Sequence, residues 1–339
     1  MIELSSVAEL EQALDEEGFW GREDVVADVY LGYGLSRPLR RTREPVPSEP
    51  CRLPPAAVRI ASPGSSAGAQ AAYRVGEWRR SWSDADYAAA IESVRSSIAR
   101  GDVYQVNLVQ HLSAEFEGDP RGLAAALSPL QPLHGEPLLG DGWAIVSGSP
   151  ELFLSRRGDH VWTCPIKGTR PLGENVEGPK DLAEHVMIVD LERNDLSIVC
   201  EPGSVRWPEL AVEHELAGVT HLVSLVEGTL RADASLTQLL EATFPGGSIT
   251  GAPKVAAIDR IAQLEPVGRG ASMGALGRIR PNGDFDLALT IRTFAVADGR
   301  VHFWVGGGIV WDSDPAAEIE ESWVKARPLL ERIGSLALA

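Results

Sequence analysis

Two residues of opposite chemistry stand at the ends of one expected hairpin. The segment "CPIKGTRPLG" (164–173) sets Lys167 between an apolar strand end and a Gly-Thr turn, where little around it keeps an ammonium merely soluble. Glu151 lies on the other arm of "PELFLSRRGDHVWTCPIKG", whose turn falls near Gly158, so strand pairing would bring carboxyl and amine near each other. An amine in partly apolar surroundings can lose its proton and become a nucleophile, and a nearby carboxyl can donate or accept one. A structural ion pair accounts for the same two residues.

Carboxylates form the next group. Asp181 and Glu184 in "PKDLAEHVMIVDLERND" share a helix face, and Glu318 and Glu321 in "DPAAEIEESWVKAR" repeat the spacing. Two such faces opposed would make an all-oxygen site, which suits a hard ion such as Mg2+ together with water and substrate oxygens. Against this, Asp314 and Pro315 read as N-cap and first turn, where acidic residues oppose the helix dipole without binding anything.

The segment "FPGGSITGAPKVAAIDRI" is a glycine-rich turn entering a helix, and it carries Ser248, Thr250 and Gly251. Its amides could receive an oxyanion, or it is a tight strand-to-helix connection. It does not fit GxxxxGK[ST], so no phosphate site follows. Arg292 in "LTIRTF" is read inside a strand, where it needs a partner, and Gly306, Gly307 and Gly308 in "VGGGIV" let a ligand approach the backbone. A buried structural arginine is the competing account. His221 in "THLVS" is a lone histidine in an apolar strand, a pattern usual for a satisfied core residue.

These residues need a frame to hold them. At 339 residues and 44% hydrophobic, the chain can bury a large core as one domain or two closely joined ones. Tyr87, Ile91, Val94 and Ile98 fall at helical spacing before Gly101, and further helices are expected over 179–196, 252–264 and 315–334. "VYQVNLVQHLSAEF", "WAIVSGS", "THLVSLVEGTL", "GALGRI", "FDLALTIRTFAV" and "RVHFWVGGGIV" are β-rich runs separated by turn signals. Helices and strands do not alternate strictly, which predicts α+β with large antiparallel sheets. The first 75 or so residues, with "RPLRRTREPVPSEPCRLPP", read as an irregular linker or edge region.

Composition excludes several roles. A formal charge of -17 opposes nucleic-acid binding, and any anionic substrate must be held by local cations or a metal. No stretch approaches a membrane helix, and "MIELSSVAEL" lacks a signal-peptide pattern, so a cytoplasmic protein with no membrane partner is expected. Cys51, Cys164 and Cys200 show no metal or disulfide spacing and read as reduced thiols.

Taken in order, "PIKGTRP", "AEHVMIVDLERNDL", "THLVS", "GSITGAPK", "TIRTF", "GGGIV" and "EIEESWVKAR" resemble the chorismate-binding enzymes, which include anthranilate, aminodeoxychorismate, isochorismate and salicylate synthases. The resemblance covers about residues 80–334, the expected catalytic domain, and leaves 1–79 as a shortened, divergent N-terminal segment. It implies two large antiparallel sheets packed as a sandwich, helices outside and the site between them. It also implies chorismate as substrate and Mg2+ as cofactor. Lys167 matches the lysine of aminodeoxychorismate synthases where anthranilate synthases carry alanine. Gln105 in "DVYQVNLVQ" stands where water-adding members carry a base lysine.

By the same resemblance, Lys167 adds covalently at C2 of chorismate while the C4 hydroxyl leaves with Glu151 as general acid. Ammonia then enters at C4 and expels the lysine, giving 4-amino-4-deoxychorismate. Glu184 and Glu321 match the metal ligands, with Asp181 and Glu318 acting through metal-bound water. Arg292 and the backbone of Gly306 to Gly308 match the holder of the enolpyruvyl carboxylate, and Lys325 a lysine near the ring carboxylate. His221 and Ser248 fall near the departing hydroxyl, and Thr250, Gly251 and Gln105 line the substrate. Ser272, Arg278, Leu152 and Asp181 depart from the family's common residues. No glutamine amidotransferase signature is present, which implies ammonia from a separate glutaminase subunit. Anthranilate or 2-amino-2-deoxyisochorismate synthesis, and a non-catalytic relative, are the alternatives.

Overall fold

The computed structural model describes residues 1–64, 71–171, 179–216 and 219–334; the side chains at 169–171, 179–181, 215, 216 and 219 lie outside that description. Its helices are α1 (Val7–Glu16), α2 (Asp84–Ala99), α3 (Pro120–Leu127), α4 (Pro179–Ser197), α5 (Leu236–Thr243), α6 (Lys254–Leu264) and α7 (Pro315–Arg332). Local chemistry sets their ends. Ser83 caps α2 by accepting from the Asp86 amide, Tyr87, Ile91 and Val94 face inward, and Gly101 leaves in the left-handed region at φ +79°. Asp314 caps α7 by accepting from the Ala317 amide, with Pro315 at its first position, as the spacing predicts.

The first strands, β1 (Ile2–Leu4), β2 (Val26–Leu31) and β3 (Ala56–Ala61), come from the stretch whose sequence is hardest to read. They are followed by β4 (Tyr73–Val75), β5 (Arg79–Arg80), the long β6 (Gln105–Gly118), β7 (Leu138–Leu139) and β8 (Trp143–Ser147). Next come β9 (Leu152–Arg157), β10 (His160–Cys164), β11 (Ile166–Pro171), β12 (Arg206–Leu216) and β13 (Val219–Thr229). The last are β14 (Gly251–Ala252), β15 (Ala275–Ile279), β16 (Phe285–Leu289), β17 (Thr293–Ala297) and β18 (Arg300–Ile309).

Ten strands make one sheet in the order β1-β3-β2-β15-β16-β9-β10-β13-β11, with β12 also on β13. Eight make a second, ordered β14-β6-β18-β17-β8-β7, with β4 and β5 on β6. The sheets face each other across one core. Along β17 the side chains alternate, Ala295 and Ala297 toward the other sheet, Phe294 and Val296 toward a separate cluster with Trp323, Ala326 and Leu330 of α7. The α+β sandwich with helices outside is therefore the fold, and no helix among the described residues is long and apolar enough to cross a membrane.

Two crossovers between the sheets matter most for function. The run "FDLALTIRTFAV", expected to hold Arg292 inside a strand, is two strands in different sheets, and Arg292 lies in the junction with φ +49°. That left-handed backbone is uncommon for a side chain as large as arginine, and it turns the chain from one sheet to the other. Gly148 to Glu151 make the neighbouring passage from β8 to β9. The passages are tied side by side, Gly148 N donating to Arg292 O at 2.9 Å and Leu289 N to Glu151 O at 3.0 Å.

The N-terminal strands are anchored by charge. Asp28 on β2 is 1% exposed and stands opposite Arg59 on β3 and Arg278 on β15, accepting from both at 2.7 Å. Arg278 also donates to Glu136 at 2.7 Å. Its departure from the family's commoner tyrosine thus has a structural partner, a buried carboxylate on the adjoining strand.

A histidine pair between the sheets makes stability depend on pH. His111 Nδ1 lies 2.6 Å from Ser81 Oγ, and its Nε2 lies 3.0 Å from His302 Nδ1, the rings stacked beside Trp304. Burial, then the charge of His302 and Arg300, pushes His111 down to about 3, while burial and Arg300 push His302 down to about 4. Below the ordinary value of 6.5 the unfolded chain takes up protons that the folded pair refuses, so the pair's contribution is lost as pH falls from 6.5 toward 4. Thermal unfolding should therefore drop in temperature more steeply across that window for the parent than for a His111→Asn/His302→Gln double variant. Equal acid sensitivity in both would contradict this assignment.

Candidate active site

Lys167 and Glu151 do converge, although not through the hairpin alone. Strands β9 and β10 pair from Arg157↔His160, with Gly158 at φ +59° in the turn, to Leu152↔Cys164, and the chain then bends so that β11 pairs with β13. Ser248 joins the two groups. Lys167 Nζ donates to Ser248 O at 3.2 Å, and Ser248 Oγ donates to Glu151 Oε1 at 2.9 Å, with Ile166 N at 3.5 Å from the same oxygen. Burial pushes the Glu151 carboxyl above the usual range, opposed by Lys167, Ser248, Ile166 and Arg292. A carboxyl so placed is disposed to keep a proton until a partner needs it.

Arg292 arrives from the neighbouring crossover. Among the described residues its guanidinium has no hydrogen bond or ion pair, and burial lowers its hold on the proton, with Glu151 opposing. Half-buried, and interacting with the Glu151 carboxyl without a direct bond to it, the guanidinium can take an anion supplied from outside. His221, 3% exposed, pairs opposite Thr169 on β11 and touches the Gly168 backbone; burial and then Arg292 depress its pKa. Thr250 is buried, and its hydroxyl donates to Gly246 O at 2.9 Å, closing the turn that presents Ser248.

A second set gathers beside this one. A Cβ at Gly307 would stand 3.5 Å from Glu318 Oε2, 3.5 Å from Lys325 Nζ and 3.8 Å from Glu321 Oε1, so three charged groups of α7 converge over the strand. Lys325 Nζ pairs with Glu321 at 2.7 Å and donates to Gly306 O at 3.2 Å. A Cβ at Gly308 would collide with Gln105 Nε2 at 2.3 Å. Gln105 is wholly buried, and neither end of its amide has a hydrogen-bond partner among the described residues. Such an orphan costs free energy unless something polar arrives. Gly251 pairs with Val106, and its φ of +136° and contact with the Gln105 carbonyl leave no room for a side chain.

Glu184 is half-buried on α4, which packs against β13 and β14. The side chain of Asp181 lies outside the described residues. Among those described, no group of three or more His, Cys, Asp or Glu assembles to hold a metal ion. The donor chemistry still fits a hard cation: Glu318 and Glu321 offer oxygen only, and Mg2+ commonly takes one or two carboxylates and fills its shell with water and substrate.

Sequence reasoning missed a buried carboxyl cluster behind the turn. Glu192, 7% exposed, accepts from Thr163 Oγ1 at 3.4 Å, and burial, then Glu151 and Asp195, hold it well above the usual carboxylate range. Asp195 is raised to about 6 by burial although Lys254 Nζ lies 2.5 Å away. Both border a cavity of about 10 Å³ with Thr163, Gly246 and Gly247, room for about one water. Their signal, charges at inward positions of α4 in "DLERND", is indistinguishable by composition from a solvated face. Ser272, at a position where the family favours an aromatic, is buried with its hydroxyl unpartnered among the described residues.

Comparison with known proteins gives the family. The profile of the chorismate binding enzymes matches residues 38–331. The chain is 41% identical over 271 residues to aminodeoxychorismate synthase component 1 of Klebsiella aerogenes, covering 76% of this chain and 60% of that protein. It is 37% identical over 326 residues to anthranilate synthase component 1 of Streptomyces coelicolor, covering 92% of this chain and 60% of the relative. The chain thus spans about 60% of the length of these relatives. The crystal structure of anthranilate synthase component I from Streptococcus pneumoniae superposes with a TM-score of 0.78 at 26% identity, covering 89% of this chain and 80% of that one. On the profile match over residues 38–331 and these identities, the chain belongs to the chorismate binding enzyme family.

Proposed function

We propose that the protein converts chorismate and ammonia to 4-amino-4-deoxychorismate, with Lys167 as covalent nucleophile and Glu151 as general acid. The observation that carries this reading is the meeting of Lys167 Nζ and the Glu151 carboxyl at one residue, Ser248. In the proposed sequence the neutral lysine amine forms a bond to C2, both ring double bonds shift toward C4, and the C4 hydroxyl departs as water with the Glu151 proton. Ammonia then bonds to C4 and gives up a proton, both double bonds return, and the C2–nitrogen bond breaks as the lysine nitrogen takes up a proton and leaves as the amine. Each displacement is easier than a single direct one. Arg292, whose guanidinium has no hydrogen bond or ion pair among the described residues, would hold a substrate carboxylate, and Gln105 and the Gly306–Gly308 backbone would face the ring.

Mg2+ would be held by Glu184 and Glu321, with Asp181 and Glu318 acting through water; when bound it would offset substrate carboxylate charge. Lys325, now on Glu321, would be available to the ring carboxylate. Glu184→Gln and Glu321→Gln should each weaken Mg2+ binding about 10-fold or more in a calorimetric titration, as removal of a charged ligand does for a site with few carboxylates. Affinities equal to the parent would return α7 to a helix-dipole explanation.

Ammonia would come from a separate glutaminase. The purified chain should turn over chorismate with ammonium salt at alkaline pH, where more of the nitrogen is free base, and stay inactive with glutamine. Glutamine-dependent turnover by the single chain would overturn the division of labour. The match to an anthranilate synthase component 1 over 92% of the chain keeps a 2-amino product as the second reading.

A further inference from the structure

Arg269 is among the largest side chains wholly shut from solvent, and the proposed reaction does not use it. Its guanidinium grips Glu265 at both oxygens, Nε to Oε2 at 2.9 Å and Nη2 to Oε1 at 2.7 Å, while Glu265 Oε1 also accepts from Val109 N at 3.0 Å. The Tyr33 ring covers it at 4.5 Å. Two bonds remain, and they go to backbone carbonyls from distant parts of the chain: Nη1 to Ile249 O at 2.9 Å and Nη2 to Asn107 O at 2.6 Å.

Those two carbonyls flank the candidate site from opposite sides. Ile249 directly follows Ser248 in the turn that receives Lys167 and donates to Glu151. Asn107 lies two residues beyond Gln105 on β6 and pairs with Gly308 of β18. One planar cation therefore bridges the turn and the strand, beside the backbone pairing of β14 with β6. Lysine, a point donor without the fork, cannot hold Glu265 and both carbonyls together. Desolvation offsets much of the attraction in a buried ion pair, so net stability is a weak account of why this one is present.

We propose that Arg269 is a positioning residue for catalysis, acting through Ile249 to hold Ser248 where it bridges Lys167 and Glu151. The inference rests on the reading of that junction as the active site. The turn is also tied by a local bond from Thr250 Oγ1 to Gly246 O, by Asn107 N to Thr250 O at 2.8 Å and by the pairing of β14 with β6, but none of these holds the Ile249 carbonyl. Small displacements at a reacting centre are costly, with about 10²-fold in rate for about 1 Å.

The test is a double-mutant cycle with Arg269→Lys and Ser248→Ala, read as kcat and KM for chorismate and as the pH profile of kcat. Arg269→Lys should lower kcat about 10- to 100-fold with KM changed less than about twofold, and it should move the pH profile in the same direction as Ser248→Ala. If Arg269 works through Ser248, the double variant is no slower than the slower single one. Losses that multiply, or an unshifted pH profile in Arg269→Lys, would overturn the proposal. Ser248→Ala without effect would instead strike at the junction itself, whereas a Ser248→Ala loss beside a normal Arg269→Lys enzyme would sink the positioning role alone. Should Arg269→Lys not fold, Glu265→Asp keeps both charges while withdrawing the anchor, and in the same cycle a non-multiplying loss supports the proposal and a multiplying one overturns it.

Discussion

Lys167→Ala is expected to lose formation of 4-amino-4-deoxychorismate by about 10³-fold or more, equivalent to about 4 kcal/mol of transition-state stabilisation. Chorismate binding should survive, because the groups argued to hold its carboxylates lie elsewhere, on Arg292 and around Gly307. The substitution removes one hydrogen bond, Nζ to Ser248 O, and leaves the bond from Ser248 Oγ to Glu151 in place. A fold-level collapse is not expected from truncating a partly buried side chain on β11. The check is steady-state turnover together with a binding titration. Near-parental turnover would remove the covalent step, while appearance of a 2-amino product would show direct addition of ammonia at C2 once the lysine is gone.

Glu151→Gln should lower kcat by about 10²- to 10⁴-fold, the usual worth of a general acid. The amide keeps the size of the carboxyl and can still accept from Ser248 Oγ and Ile166 N, so the local geometry should persist. What it lacks is a proton acidic enough to pass to the departing hydroxyl. The pH profile sharpens the test. Burial holds the parent carboxyl above the usual range, so kcat should fall as pH rises through that raised value and the acid is lost. The variant's residual rate should show no such limb. A variant that keeps the parental limb would assign the proton to another group, with the buried Glu192 the next in line.

The motif-bearing segments are legible because their chemistry and their secondary structure are local. The helix from Asp84, the turn at Gly158 and the cap at Asp314 each depend on a few neighbouring residues, and each forms where spacing predicts. Features that depend on residues far apart are not. Asp28 interrupts the apolar run of β2, and only the arrival of Arg59 and Arg278 from both flanking strands makes that interruption tolerable. Arg292 reads as a strand residue because the residues on either side are β-formers; its left-handed backbone is imposed by the passage between sheets. Glu265 and Arg269 are charged residues four apart around a proline, a pattern that ordinarily belongs on the surface. Their burial depends on carbonyls at 107 and 249 that local reading cannot place. The same holds at the site: spacing matches Lys167 and Glu151 across a hairpin, whereas the residue that joins them, Ser248, comes from a turn about 80 residues later.

The most direct test of the central claim is the identity of the product. The purified chain is incubated with chorismate, Mg2+ and ammonium salt, and the product is examined by mass spectrometry and proton NMR, which together give its composition and the ring position of nitrogen. The account predicts 4-amino-4-deoxychorismate, with the amino group at C4 and the enolpyruvyl group retained. Nitrogen at C2, whether as the 2-amino isomer or as anthranilate after loss of pyruvate, would contradict it.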